Sequence, residues 1–214
     1  MTGPAIKLCG LTTPKSLDAA IASRADYVGL NFFPPSPRNI SLGDAAALAA
    51  RTEGRITRVG VFVDASDISI AEAVTAASLD VIQLHGAENP QRAAQLKAQF
   101  GLPVWKALTV ASKADVARAR AYAGAADLIL FDAKTPRGSA LPGGMGLSFD
   151  WSLVANWNGP IAWGLAGGLT AENVGEAIRL TGAPLVDTSS GVESAPGVKD
   201  VDKIAAFCKA ARSA

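Results

Sequence analysis

The sequence predicts an α/β chain folded as a single (β/α)8 TIM barrel, and three observations carry that prediction. Short runs of apolar and β-branched residues recur eight times, with alanine-rich helical patterns between them. Such alternation implies parallel strands. Polar residues in phase with the strand ends are spread over the whole chain. One barrel can use the full length of 214 residues, and no composition break or linker divides it, so 1–214 is read as one domain.

The strand runs are Ala5–Leu11, Tyr27–Phe32, Thr57–Val63, Val81–His85, Val104–Thr109, Leu128–Ala133, Ile161–Ala166 and Leu185–Ser190. The helical patterns are Pro14–Ser23, Asp44–Arg51, Ile68–Ala77, Pro90–Phe100, Lys113–Tyr122, Ala171–Leu180 and Val201–Ala211, with a shorter one expected after Asp150. Asn89 and Thr13 each offer a capping side chain before a proline, Pro90 and Pro14, whose missing N–H costs nothing in the first turn. Ser112 with Asp115 resembles a capping box. The alternative is an open doubly wound sheet. Against it, no GxGxxG follows the first strand. The long irregular stretches are Phe33–Leu42 and Lys134–Phe149, and loops of that length in a compact domain are usually functional or mobile.

Composition narrows the function. Hydrophobic residues make up 49% and charged residues 18%, enough to bury a core. Lys and Arg number 20 against 19 Asp and Glu, so no global field draws the chain to nucleic acid or to a membrane. The start has no secretory pattern, and no apolar run is long enough to span a bilayer. The two cysteines, Cys9 and Cys208, form neither a disulfide framework nor a metal-ligand spacing. A reducing, cytoplasmic setting is expected.

Alternate strand residues point into a barrel. Ile6 and Leu8 then face the helices, while Lys7 and Cys9 face the interior. The same phase puts Gln83 and His85, Asp132, and Asp187 with Ser189 at strand ends, and barrel active sites form at that end. Each has a plainer reading. Cys9 alone would be a small core residue. His85, the one histidine, would be a hydrogen-bonded structural group. Asp132 follows Leu128-Ile129-Leu130-Phe131 and must be paired, capped or functional. Gly167-Gly168 and Ser189-Ser190-Gly191 follow the last two strands, where barrel enzymes often bind phosphate. Otherwise Gly167-Gly168 serves a tight turn.

An ordered set of motifs then spans the chain. Lys7-Leu8-Cys9-Gly10-Leu11-Thr12, Ser36-Pro37-Arg38, Val59-Gly60-Val61-Phe62, Gln83-Leu84-His85-Gly86, Phe149-Asp150-Trp151, Leu165-Ala166-Gly167-Gly168-Leu169, Asn173-Val174, Asp187-Thr188-Ser189-Ser190-Gly191-Val192-Glu193 and Gly197-Val198-Lys199-Asp200 resemble phosphoribosylanthranilate isomerase. Any one is weak; the ordered set is specific. The glycine-rich stretch Gly143–Leu147 departs from the family's commonest form, which has Ser or Thr where Met145 stands and Lys where Leu147 stands, and Lys134–Pro142 is longer than in many relatives.

The resemblance implies an Amadori rearrangement of an aminoaldose phosphate to an aminoketose phosphate, with no metal and no organic cofactor. Asp132 matches the general acid that protonates the ribose ring oxygen. Cys9 matches the general base that takes the C2′ proton. A lowered Cys9 pKa is expected, with Lys7 its candidate cause unless Lys7 is simply paired with a carboxylate. Burial or a neighbouring anion would help Asp132 hold its proton. Arg38 matches the ligand of the anthranilate carboxylate; its plainer reading is an exposed loop arginine. Gly167, Gly168, Ser189, Ser190 and Gly191 match the phosphate loops, and His85 and Asp187 are further site-lining candidates. The partner implied is a small phosphorylated substrate, with no obligatory protein partner evident. The rivals are a metal-dependent ribulose-phosphate epimerase, disfavoured by a single histidine, and a non-catalytic sugar-phosphate sensor, disfavoured by retention of both Cys9 and Asp132.

Overall fold

A computed structural model describes residues 3–133 and 146–214. All eight expected strands form: β1 (Ala5–Cys9), β2 (Tyr27–Asn31), β3 (Thr57–Phe62), β4 (Val81–Leu84), β5 (Val104–Val110), β6 (Leu128–Ala133), β7 (Ala162–Leu165) and β8 (Leu185–Thr188). They close into a barrel in chain order, and β8 returns in parallel to β1 with Lys7 opposite Asp187. The strands stop one or two residues short of several predicted ends, and His85 and Ser189, just past β4 and β8, line the cleft from the loops.

The strand phase sorts the buried residues into two clusters. Ile6, Leu8, Val28, Leu30, Ile82 and Phe131 pack outward against the helices. Val59, Val81, Trp105, Ala107, Leu130 and Leu185 form a separate cluster, in phase with the inward-pointing residues. Further along the same inward rows stand Lys7, Gln83, Asp132 and Asp187, all buried. The barrel is therefore plugged by apolar side chains toward one end and lined by polar ones toward the other.

The helices are α1 (Pro14–Ala22), α2 (Leu42–Thr52), α3 (Asp67–Ala77), α4 (Pro90–Phe100), α5 (Lys113–Ala117), α6 (Val174–Thr181) and α7 (Val201–Arg212). Thr13 and Asn89 cap α1 and α4 as expected, accepting from the N–H groups of Ser16 and Arg92. Ser112 caps α5, but the reciprocal bond differs from a capping box: Asp115 accepts from the N–H of Ala111. The predicted helix Lys113–Tyr122 divides into α5 and a 3-10 segment, Arg118–Tyr122, the tighter winding common at helix ends. The predicted start of α6 at Ala171 gives way to Val174, because the Asn173 side chain accepts from the N–H of Thr170 and holds a turn there. The helix expected after Asp150 is a 3-10 turn, Trp151–Leu153.

One element is absent from the sequence reading. Two short antiparallel strands, β9 (Glu193–Ala195) and β10 (Val198–Lys199), form a hairpin outside the barrel.

Candidate active site

Local geometry places each group. Cys9 is the last residue of β1, opposite Gly29 on β2. Its Sγ is 3.5 Å from Asn31 Oδ1. Gly29 leaves room for the sulfur: a Cβ there would stand 2.8 Å from Sγ. Asp132 lies one residue before the end of β6, and its Oδ1 accepts from the N–H of Ala133 at 2.7 Å. Gly167 shields that carboxylate in a way other residues cannot, with φ at +85° and a position where a Cβ would lie 2.9 Å from Asp132 Oδ1.

Cys9, Asn31, Arg38, His85, Asp132 and Asp187 all line one cleft that opens to solvent, and its wall also holds Gly167, Gly168, Ser189 and Ser190. Cys9 and Asp132 thus face one space from strands three steps apart around the ring. Gly191 is not on that wall. Its Cα packs against the carbonyl of Leu169, where a Cβ would be 1.9 Å from the oxygen. The hydroxyl of Ser189 is also engaged, donating to Cys9 O at 3.0 Å. Gly191 therefore shapes the loop after β8, and Gly167, Gly168 and Ser190 are the members of the predicted phosphate set that meet the cleft without a side-chain hydrogen bond to another described residue. The loop after β8 is a 3-10 turn, Ser190–Val192, and not the start of a full helix.

His85 stands beside the carboxylate, with Nε2 3.2 Å from Asp132 Oδ2. The distance is that of an ion pair, but the angle is not that of a hydrogen bond, and Nε2 has no hydrogen-bond partner among the described residues. Gln83 Nε2 lies 3.4 Å from the other ring nitrogen.

Lys7 and Asp187 form a buried ion pair at 2.9 Å, with the lysine side chain fully buried. Burial alone would discharge Lys7, but Asp187 reverses this and holds it above the ordinary lysine value. Burial likewise pushes the Asp187 carboxyl up, with Lys7 opposing. The two directions compete within one pair; the short contact to an unexposed amine decides for ammonium on carboxylate. Asp187 Oδ1 has no hydrogen-bond partner among the described residues.

The expected lowering of the Cys9 pKa is corrected. Burial pushes the thiol above its ordinary value; Lys7 opposes this, Asp187 adds to it, and Lys199 opposes it again. The charge of Lys7 is largely matched by Asp187, which leaves desolvation as the larger effect.

Arg38 is not the exposed loop arginine of its plainer reading. It is buried, and its guanidinium meets Glu193 through Nε at 2.7 Å and Nη2 at 2.8 Å. Glu193 and Lys199 stand in two of the sequence motifs, which give neither a role, and Asn31 and Gly29 fall outside those motifs. The strand-phase rule that singled out strands four, six and eight also puts Asn31 and Gly29 inward on strand two. Nothing local announces the Arg38–Glu193 pair, whose members are 155 residues apart. Met145 and Lys134–Pro142 lie outside the described residues. Leu147 lines the cleft.

Barrel enzymes hold their chemistry at this mouth, and the groups gathered here are donors and acceptors of protons; the class is that of (β/α)8 enzymes equipped for acid–base catalysis. Residues 6–210 match the profile of the family described as N-(5'phosphoribosyl)anthranilate (PRA) isomerase. The chain belongs to that family. It is 52% identical over 207 residues to N-(5'-phosphoribosyl)anthranilate isomerase of Paramagnetospirillum magneticum, covering 97% of this chain and 96% of that one. It is also 52% identical over 212 residues to the enzyme of Cereibacter sphaeroides, covering 99% and 100%. The phosphoribosyl anthranilate isomerase of Thermotoga maritima superposes with a TM-score of 0.89 at 35% identity, covering 99% of this chain and 100% of that one. A further isomerase structure, solved in complex with reduced 1-(o-carboxyphenylamino)-1-deoxyribulose 5-phosphate, matches at a TM-score of 0.86 and 33% identity, covering 99% and 100%. No helix among the described residues is long and apolar enough to cross a membrane.

Proposed function

We propose that this isomerase of tryptophan biosynthesis converts N-(5-phosphoribosyl)anthranilate into 1-(2-carboxyphenylamino)-1-deoxyribulose 5-phosphate with Asp132 as general acid and Cys9 as general base. The observation that carries the assignment is that the two side chains open into one cleft from separate strands, with glycine loops on its wall. Asp132 gives its proton to the ribose ring oxygen, and the C1′–O bond breaks to leave an iminium. The Cys9 thiolate then removes the C2′ proton, and the electron pair moves to form an enolamine. Tautomerisation of the enolamine gives the aminoketose. Each transfer is of the kind that a positioned side chain accelerates by about 10²–10⁴-fold.

The anthranilate carboxylate is assigned to Arg38, and the phosphate to the backbone at Gly167-Gly168 and Ser190. Arg38 shares Glu193 with Lys199, so the three residues sum to one positive charge beside the cleft. A carboxylate is drawn to that surplus even though Arg38 itself is paired. His85 and Asp187 line the cleft as supports: His85 beside the acid, Asp187 holding Lys7 next to the base. Both proton transfers have side-chain agents, so the reading calls for no metal and no organic cofactor. Residues 1–214 are taken as one barrel domain working in the cytoplasm, with no protein partner required for the chemistry.

Three variants test the assignment. Cys9→Ser and Asp132→Asn should each lower kcat by at least about a hundredfold with much smaller changes in KM. Arg38→Ala should mainly raise KM, as for an interaction nearly equal in ground and transition states. Near-normal kcat in a folded Cys9→Ser protein would return Cys9 to a core role and move the base to Asp187 or His85. Strong inhibition by EDTA, reversed by a divalent ion, would defeat the cofactor-free mechanism.

A further inference from the structure

We propose that Lys199 is a positioning residue that couples the carboxylate end of the site to the wall carrying Cys9. This rests on the reading of Arg38 as carboxylate ligand and Cys9 as base. Lys199 lies on β10, in the hairpin outside the barrel, and its side chain is only 2% exposed. A lysine buried so deeply needs partners for its ammonium, and it has them on two sides.

On one side, Nζ is 2.7 Å from Glu193 Oε1. That same oxygen receives Arg38 Nε at 2.7 Å. Glu193 is thus a carboxylate shared by two cations, and it holds the guanidinium at a fixed angle. On the other side, Nζ donates to Ser189 O at 2.9 Å and approaches Ser189 Oγ at 3.2 Å. Ser189 Oγ in turn donates to Cys9 O at 3.0 Å. One ammonium therefore closes a chain from Arg38 to the backbone of the base.

The charges give the arrangement a consequence. Without Lys199, the charges of Arg38 and Glu193 would cancel, and this corner of the cleft would hold a substrate carboxylate less tightly. The charged groups that act on Cys9 come from three elements: Lys7 on β1, Asp187 on β8 and Lys199 on β10. Asn31 on β2 is neutral. Lys7 and Asp187 offset each other at 2.9 Å. Among the described residues Lys199 is matched by Glu193 alone, which Arg38 also draws on, so its positive field at the sulfur is less compensated than that of Lys7. Burial, with Arg38 adding to it, holds the Lys199 pKa below the ordinary lysine value, while Glu193 and the Cys9 thiolate oppose that shift.

A lysine that merely staples the hairpin predicts lost stability and nothing else. The discriminating experiment uses the full chain with Lys199→Met, Lys199→Arg and Glu193→Gln. For each, KM and kcat for phosphoribosylanthranilate are measured. The pH midpoint of iodoacetamide labelling at Cys9 is read by mass spectrometry of the Cys9 peptide. Lys199→Met should raise KM about tenfold, the scale of a lost contact to a charged group, and should move the labelling midpoint upward. Lys199→Arg should keep both near wild type. Glu193→Gln should raise KM by loosening Arg38 but move the midpoint downward, since it removes a negative charge and leaves Lys199 unmatched. The opposite signs in Lys199→Met and Glu193→Gln are the signature of coupling. Wild-type KM and midpoint in folded Lys199→Met, or midpoints moving the same way in both, would overturn the proposal. Labelling needs no turnover, so the effect of Lys199 on the thiol is read even if Cys9→Ser shows that Cys9 is not the base.

Discussion

The sulfur of Cys9 occupies the space that a side chain on Gly29 would need. The two residues are paired across β1 and β2, and a Cβ on Gly29 would meet Sγ at 2.8 Å and the Cα of Cys9 at 3.1 Å. Rotating the thiol away relieves the first contact but not the second, because that atom is backbone. Gly29→Ala should therefore push the proposed base out of line while leaving the groups assigned to phosphate untouched. A displacement of about 1 Å can cost about 10²-fold in rate. Steady-state kinetics should show kcat falling to that degree with KM changed far less; an unchanged kcat would mean that the sulfur's position is not limiting.

His85 approaches Asp132 without a well-angled hydrogen bond. Contacts of this kind often tighten only when substrate is bound. His85→Asn should leave an acid that still donates but is less well aimed, so kcat should drop about tenfold, well short of the loss in Asp132→Asn. Equal losses in the two variants would instead make His85 a direct participant in proton transfer.

How far the sequence announces this site depends on the range of each contact. Cys9, Asp132, His85 and Asp187 were legible because strand phase is a two-residue rule and all four obey it. Gly167 and Gly168 were legible from their place after the seventh strand. The roles of Glu193 and Lys199 were not. Their hairpin is built from strands of three and two residues, too short for any alternation to register, and Glu193 meets Arg38 across 155 positions. The direction of the Cys9 shift was misjudged for a related reason. Lys7 is visible two residues away, but the burial that outweighs it and the Asp187 that offsets it come from the assembled barrel.

That correction has a measurable consequence. The folded protein should resist thiol modification at neutral pH, because only the thiolate reacts. Iodoacetamide labelling of Cys9 should rise with pH and show a midpoint above the ordinary thiol value of about 8.5. Cys208 should also label slowly, since burial on α7 pushes its pKa up to about 11. A Cys9 midpoint below the ordinary value would show that the lysines prevail over desolvation.

The stability of the loop after β4 rests on a buried pair that strand phase alone does not announce. Lys106 on β5 is out of phase with the inward residues Trp105 and Ala107, yet it is buried, with Nζ 2.9 Å from Glu88 Oε2 and 2.6 Å from Gly86 O. Glu88 also accepts from the N–H groups of Asp64 and Gly86. The pair thus pins the loop that follows His85. Burial works against the Glu88 carboxylate, but Lys106, with the N–H groups of Asp64 and of Glu88 itself, outweighs it and holds its pKa below the ordinary value. A carboxyl depressed in the folded state adds stability above its unfolded pKa of about 4.3, and that stability is lost as pH falls through the folded value. Lys106→Met leaves a buried carboxylate without its counter-ion, a loss that typically costs about 3–5 kcal/mol. For a chain of this size that lowers Tm on the order of 10 °C. Adding Glu88→Gln to Lys106→Met should recover part of the loss, because the uncompensated charge is gone while one acceptor remains for the N–H groups. Thermal unfolding of wild type and both variants at neutral pH and at about pH 3, below the unfolded carboxyl value, decides it. The single variant should be the less stable at neutral pH, and the double variant should lose less on acidification than wild type. A double variant no more stable than the single one at neutral pH would show that the loss came from packing of the lysine stem and not from the stranded charge.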